Sequence, residues 1–282
     1  MAYVFRNLAL LFFSLTCVTE IALGAVEWEM SYPINIEVSP KDVAVSTDGN
    51  WIYILTKDGN ILIYSSDGQF EDTIHVGSHI SFVKAGPSEN QLIVGSNKNK
   101  TVQILSFEFI QKIDISGASV LGSAEAPVVI VVFMDYQCPY CAQFMPLLER
   151  VLENNPQKVK VAYKHYPLKM HKAARSAAAA SLVAAQEGRF RELHFLMLDD
   201  YKNLTDENIL EKASNLGFDR NDFQKKMASP AIQSRIQKDM QDGKQAGISG
   251  VPAVFINGIL LKSRTLENIQ EIIDQELRKV EQ

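Results

Sequence analysis

Val128-Val129-Ile130-Val131-Val132-Phe133-Met134-Asp135-Tyr136-Gln137-Cys138-Pro139-Tyr140-Cys141 is the stretch on which the fold turns. No Pro, Gly or charge interrupts Val128 to Phe133, the pattern of a short strand buried on both faces. From Pro139 to Asn154, Phe144, Leu147, Leu148, Val151 and Leu152 recur at helical spacing. Pro146 is expected to kink that helix without ending it, since the apolar pattern continues beyond. Pro139 suits a first helical turn, where its missing N–H costs little. Cys138 then stands at the helix N-terminus, where unsatisfied N–H groups and the macrodipole favour thiolate over thiol. Cys141, one turn further in, is expected to be more shielded. The pair reads as a reversible dithiol that forms a Cys138–Cys141 disulfide on oxidation, Cys138 attacking and Cys141 resolving. A structural disulfide and half of a zinc site are the alternatives. Zinc normally takes four ligands, and among the histidines only His75 and His79 are closely spaced.

The third cysteine, Cys17, lies in an apolar stretch from Leu8 to Val18 that follows Arg6. Ala22-Leu23-Gly24 supplies the small residues a signal peptidase reads, so residues 1–24 are expected to be a signal peptide cleaved before Ala25. Glu20 interrupts the run well short of the roughly 20 apolar residues that cross a bilayer, and Ser14-Leu15-Thr16 is a poor lipobox. The mature chain is therefore expected in an exported, oxidising compartment: periplasmic, or extracellular where no outer membrane exists. A dithiol can serve there as a disulfide donor. The net charge of -5 offers nothing to nucleic acid or to an acidic membrane surface.

About 258 residues after cleavage exceed the usual 100 to 150 of one domain, and the composition changes near residue 115. Before it, turn signals at Thr47-Asp48-Gly49-Asn50, Lys57-Asp58-Gly59-Asn60 and Ser66-Asp67-Gly68 separate short alternating strands. Val43 to Val45, Trp51 to Leu55, Ile61 to Tyr64 and Phe70 to Val76 are matched about 40 residues later by a second series. That series is Ile80 to Val83, Gln91 to Val94, Thr101 to Leu105 and Phe109 to Ile115. Residues 25–114 are thus expected to be a small all-β domain of two repeats, about 42–77 and 80–115. The repeats resemble β-propeller blades of the broad WD40, NHL or YVTN kind; a β-sandwich is the alternative. Two blades fall short of the roughly four to eight of a closed ring, so self-association into a homo-oligomer through this region is expected.

Strand, Cys-x-x-Cys and helix in that order resemble the thioredoxin arrangement. Four motifs make the likeness more specific: Ala126-Pro127-Val128; Phe133 to Gln137 leading into the dithiol; Tyr163-Lys164-His165-Tyr166-Pro167-Leu168 with His171; and Gly247 to Gly258 around Val251-Pro252. Together they resemble the bacterial DsbA-like thiol:disulfide oxidoreductases over residues 115–282. The resemblance implies an α/β chain with a thioredoxin fold carrying a helical insertion at about 170–246. It also implies a cis-proline loop, Val251-Pro252, that faces the dithiol and pairs with substrate backbone. Read from the residues, Ala253 to Ile256, Asn257-Gly258 and Ile259 to Leu261 are strand, tight turn, strand. Leu266 to Val280 is a closing amphipathic helix.

Two departures from the family pattern stand out. Many relatives carry Glu at the position of Val132, from which it relays a proton to the buried thiol; resolution here is expected to be slow or to use a water or Lys. Arg191 replaces an aromatic residue and alters a surface. Asp135 is near enough to Cys138 to tune it, or it caps the loop. His171 and His194 read as surface or packing residues.

Chain and resemblance together give an exported enzyme that exchanges disulfides with cysteine-containing protein substrates, without metal or organic cofactor, most readily as a dithiol oxidant. Pro139-Tyr140 between the cysteines also resembles the glutaredoxin site, which implies a potential between about -120 and -230 mV. An isomerase or reductase is the alternative within the class; a binding or chaperone protein with little turnover is the alternative outside it. The resemblance implies a membrane redox partner as well, either a quinone-linked reoxidising one of the DsbB or VKOR kind or a reducing one of the DsbD kind.

Overall fold

The computed structural model describes residues 27, 29–30 and 33–280, so the signal-peptide reading of residues 1–24, Cys17 included, lies outside the described residues. The chain divides into two compact units between Leu105 and Ser106.

In the first unit β1 (Pro40–Val45), β2 (Trp51–Thr56), β3 (Asn60–Ser65) and β4 (Phe70–His75) form an antiparallel meander in sequence order. Its turns repeat one device. Ser46 donates to Asp48 Oδ1 (2.5 Å), Thr56 to Asp58, and Ser65 to Asp67 Oδ1 (2.5 Å), each just ahead of a glycine at positive φ. A second sheet follows, in the order β5 (Phe82–Ala85), β6 (Gln91–Ser96), β7 (Thr101–Ser106). Asp42 joins the two sheets by accepting from Val83 N (3.0 Å) and Lys84 Nζ (2.7 Å). The second series lacks its expected fourth strand. Ser65 leads into Asp67-Gly68 and the chain reverses, whereas nothing of the kind follows Ser106. Instead Ile110 bridges Ile259 and Gln111 N donates to Gly258 O (2.9 Å), both in the second unit. This approach requires glycine: Gly258 has φ 86°, and a Cβ there would stand 2.5 Å from Gln111 O.

The second unit is an α/β domain. Its sheet runs β12 (Ile259–Leu260), β11 (Ala253–Ile256), β9 (Val128–Met134), β10 (Val159–His165), β8 (Ser119–Gly122). β9 is central, parallel to β10 and antiparallel to β11. Its alternate residues enter two cores: Ile130, Val132 and Met134 pack with Phe144, Met145 and Leu148 of α1 (Pro139–Asn154), while Val131 and Phe133 meet Ala162 and Phe255. Pro146 lies inside α1 without ending it. Between β10 and β11 come α2 (Ala174–Gln186), α3 (Phe190–Asp199), α4 (Asp206–Asn215), α5 (Arg220–Met227) and α6 (Pro230–Gln245); α7 (Leu266–Val280) closes the domain. The run Ala177 to Ala180 is buried, and its small side chains let the neighbouring helices approach α2 closely.

His165, at the end of β10, is fully buried, and among the described residues neither ring nitrogen has a hydrogen-bond partner. Burial pushes its pKa down to about 4. An unfolded histidine takes up its proton near 6.5, so this neutral ring stabilises the fold fully above that pH, and the contribution is lost as pH falls towards 4. Over that window the difference amounts to about 3 kcal/mol. His165→Phe is expected to flatten the fall in urea stability between those pH values by about that amount; a parallel profile would show that the ring does not stay neutral.

Candidate active site

β9 ends at Met134, and four residues later Cys138 caps α1 with extended backbone, φ -75° and ψ 120°, while Pro139 opens the first turn. Both cysteines are thiols in this structure. Cys141 is fully buried and Cys138 is only 4% exposed, so the two thiols differ little in shielding. The exposed group is Tyr140, at 68%. The Val251-Pro252 peptide is cis, and Val251 O lies 3.6 Å from Cys138 Sγ.

The two sulfurs are electrostatically unlike. A hydrogen bond from the Cys141 thiol, helped by the backbone N–H groups of Cys141 and Tyr140, outweighs burial and the charge of Asp135 and lowers Cys138 to about 6. Burial, and then the same hydrogen bond seen from its donor, push the Cys141 thiol far above its ordinary range. Near neutral pH this leaves one thiolate and one thiol, the charge distribution an attacking and a resolving cysteine need.

Asp135 is 1% exposed and organises the surrounding loops. Its Oδ1 accepts from Gln137 N (2.7 Å); its Oδ2 accepts from Leu168 N (2.7 Å) and contacts His171 Nδ1 at 2.9 Å. Its own N–H points at Cys141 Sγ, 3.5 Å away. Gln137 extends the brace, accepting from Ala173 N (2.6 Å) and donating to Leu204 O (3.3 Å). The structure therefore brings Cys138, Cys141, Asp135 and Val251 together, and it adds His171 and Gln137. His171, expected on a surface or in packing, instead contacts a buried carboxylate. Parallel pairing of Met134 with His165 sets the loops after β9 and β10 side by side, and this brings Asp135 to Leu168 and His171; only the spacing of Leu168 and His171 hinted at it. His194 is a packing residue, buried with its Nδ1 2.7 Å from the Tyr136 hydroxyl. Val132 is fully buried in the same core as Cys141. Arg191 pairs with Glu149 of α1. No group of three or more His, Cys, Asp or Glu side chains among the described residues is arranged to hold a metal.

A central strand that feeds a Cys-x-x-Cys helix cap opposite a cis-proline loop defines a thioredoxin-fold dithiol domain. Residues 116–275, more than half of the chain, match the family model described as Thioredoxin, and the chain belongs to that family. The Na(+)/H(+) antiporter NhaA 3 of Salinispora tropica is 34% identical over 140 residues, 49% of this chain. The match spans only 21% of the antiporter's length. The probable disulfide bond formation protein D of Bacillus anthracis is 25% identical over 198 residues, 66% of this chain and 87% of that one. Oxidised BdbD from Bacillus subtilis shares the fold, with TM-score 0.55 at 23% identity over 61% of this chain and 98% of BdbD. The catalytic domain of Proteus mirabilis ScsC gives TM-score 0.51 at 27% identity over 57% of this chain and 90% of that domain. Among the described residues no helix is long and apolar enough to cross a membrane.

Proposed function

We propose that the protein is an exported thiol:disulfide oxidoreductase that exchanges disulfides with cysteine-containing proteins through Cys138 and Cys141, acting chiefly as a dithiol oxidant. The observation that carries this reading is the divided ionisation of the pair, with Cys138 lowered to about 6 while Cys141 stays protonated. Stabilising the Cys138 thiolate stabilises the reduced enzyme, and a dithiol whose reduced form is stabilised is a stronger oxidant when disulfide-bonded. A client thiolate attacks Cys138 Sγ of the disulfide, a mixed disulfide forms, and Cys141 leaves. A second client thiol then releases Cys138, so two electrons pass from client to enzyme. Val251 and Pro252 hold the client backbone beside Cys138, and a membrane redox partner reoxidises the pair. Export is supported by the small-residue site at Ala22-Leu23-Gly24. The second reading is an oligomeric isomerase, in which several dithiols surround one client. It is favoured by Phe70 on β4 and by Val102 and Ile104 on β7, apolar side chains left exposed on outer strands of the two sheets.

Oxidation of reduced hirudin is expected to be fast, and reshuffling of scrambled ribonuclease slow. Fast reshuffling by an oligomer would replace oxidase with isomerase. Failure of both assays, and of insulin reduction, would leave a binding protein.

A further inference from the structure

Gln137, which precedes Cys138 in the chain, lines an open groove of about 610 Å³ together with Met170, His171 and Leu204. Buried Leu204 and Ala173 give it an apolar floor, and Met170, which also lines it, is 79% exposed. A second groove of about 420 Å³ lies among α2, α4, α5 and α6, over buried Ala179, Leu210 and Met227. Lys172 and Asp206 border both grooves, so the two form one path that leads from the dithiol loop across the helical insertion. Each volume lies within the roughly 300 to 1,000 Å³ of ligand sites.

Charge is distributed unevenly along this path. Lys172 and Arg175 line the second groove, and among the described residues neither has an ion-pair partner; Arg175 donates its Nε to Gln233 Oε1 (2.8 Å). By contrast Lys212, Arg220 and Lys226, on α4 and α5, are paired with Asp200, Glu207 and Glu187. Asp206 is the one carboxylate lining the second groove, which leaves that groove net positive. In the first groove Lys172 faces Asp206, and Arg220 already offsets Glu207. Exposed charges contribute little singly, but a client held at Cys138 by a mixed disulfide meets them at high effective concentration.

We propose that this path binds an extended, unfolded client segment: an apolar side chain near the client cysteine rests on Met170 and Leu204, and an acidic side chain beyond it meets Lys172 and Arg175. The inference rests on the reading of Cys138–Cys141 as an exchange centre and names the clients that centre favours. Main-chain pairing at Val251 and Pro252 is blind to client sequence, whereas pockets for side chains discriminate. The path across the insertion therefore supplies selectivity that the cis-proline loop lacks.

Partition of mixed disulfides tests the site. Full-length Cys141→Ala, loaded on Cys138 with oxidised glutathione, is mixed with blocked peptides that contain one cysteine, a leucine and, beyond it, glutamate, glutamine or lysine. Each peptide is made in both sequence orders. The peptide thiolate attacks Cys138 Sγ, the bond to glutathione breaks and glutathione leaves as its thiolate, so no net oxidation occurs. Mass spectrometry then reads the ratio of the two adducts at equilibrium. In one order or both, the glutamate peptide should be favoured over the lysine peptide by about fivefold, and by less in high salt. Serine in place of leucine should lower occupancy by about tenfold, the lower end for burying a leucine. Lys172 and Arg175 are both exposed, so Lys172→Glu combined with Arg175→Glu should leave the fold intact and reverse the charge preference. Asp206→Asn should sharpen it. Equal partition of the three peptides in both orders, or a preference that survives the charge reversal, overturns the site. Failure of Cys138 to take up glutathione at all overturns instead the exchange reading beneath it.

Discussion

Cys138→Ser is expected to abolish disulfide exchange, and Cys141→Ala to convert the enzyme into a trap that accumulates mixed disulfides with its clients. The asymmetry follows from the site. Among the described residues Cys138 is the one cysteine whose pKa lies below neutrality, so its loss removes the nucleophile. Cys141 contributes nothing to the first attack but supplies the second. Without it the mixed disulfide persists until an external thiol arrives. Losing Cys141 also removes the hydrogen bond that does most to stabilise the Cys138 thiolate, so the trap should attack more slowly than the intact enzyme. Iodoacetamide rates against pH read this directly: the unsubstituted protein should show a midpoint near 6, and Cys141→Ala a higher one. A single alkylation midpoint near the free-cysteine value of about 8.5, or modification of Cys141 before Cys138, would refute the division of labour.

The sequence shows the elements of this site more readily than their assembly. Val128 to Met134 is legible as a buried strand because no polar residue interrupts it, and α1 because its apolar spacing survives Pro146. Cys138 and Cys141 announce themselves by spacing alone. The helix cap that activates Cys138 follows from Pro139, whereas the near-complete burial of Cys138 depends on neighbours such as the Val251 loop, more than a hundred residues away. His171 was illegible for a similar reason: its partner Asp135 reaches it only because β9 and β10 run parallel and end at the same level. In the first unit the repeated Asp-Gly turns gave the four-stranded sheet. The pattern does not extend to Phe109–Ile115, because no such turn follows Ser106.

Lys164→Met is expected to destabilise the protein by about 3 kcal/mol, the lower end for breaking a buried ion pair by removing one partner. The Lys164 side chain is wholly buried, donating to Asp114 O (2.9 Å) and Asp242 Oδ2 (2.7 Å) and lying 3.0 Å from Asp239 Oδ1. Asp239 is just as buried and would keep only Arg235, 3.1 Å away, as an ionic partner. Asp242 would retain Lys238 at 2.9 Å, which is why the lower end of the range applies. Methionine matches the lysine stem in length, so the loss reports the stranded charge more than a cavity. Adding Asp239→Leu should then recover part of the stability, because an apolar pair of similar volume avoids the desolvation cost. Urea unfolding of the two variants decides: a loss under about 1 kcal/mol in the single variant would mean the charges are effectively solvated. The effect should also reach the dithiol. Asp239 Oδ2 accepts from His165 N (3.0 Å), and His165 pairs in register with Met134, immediately before Asp135. The buried charges therefore pin the ends of the two strands from which the active-site loops depart, and loosening them should slow the resolving step more than the first attack.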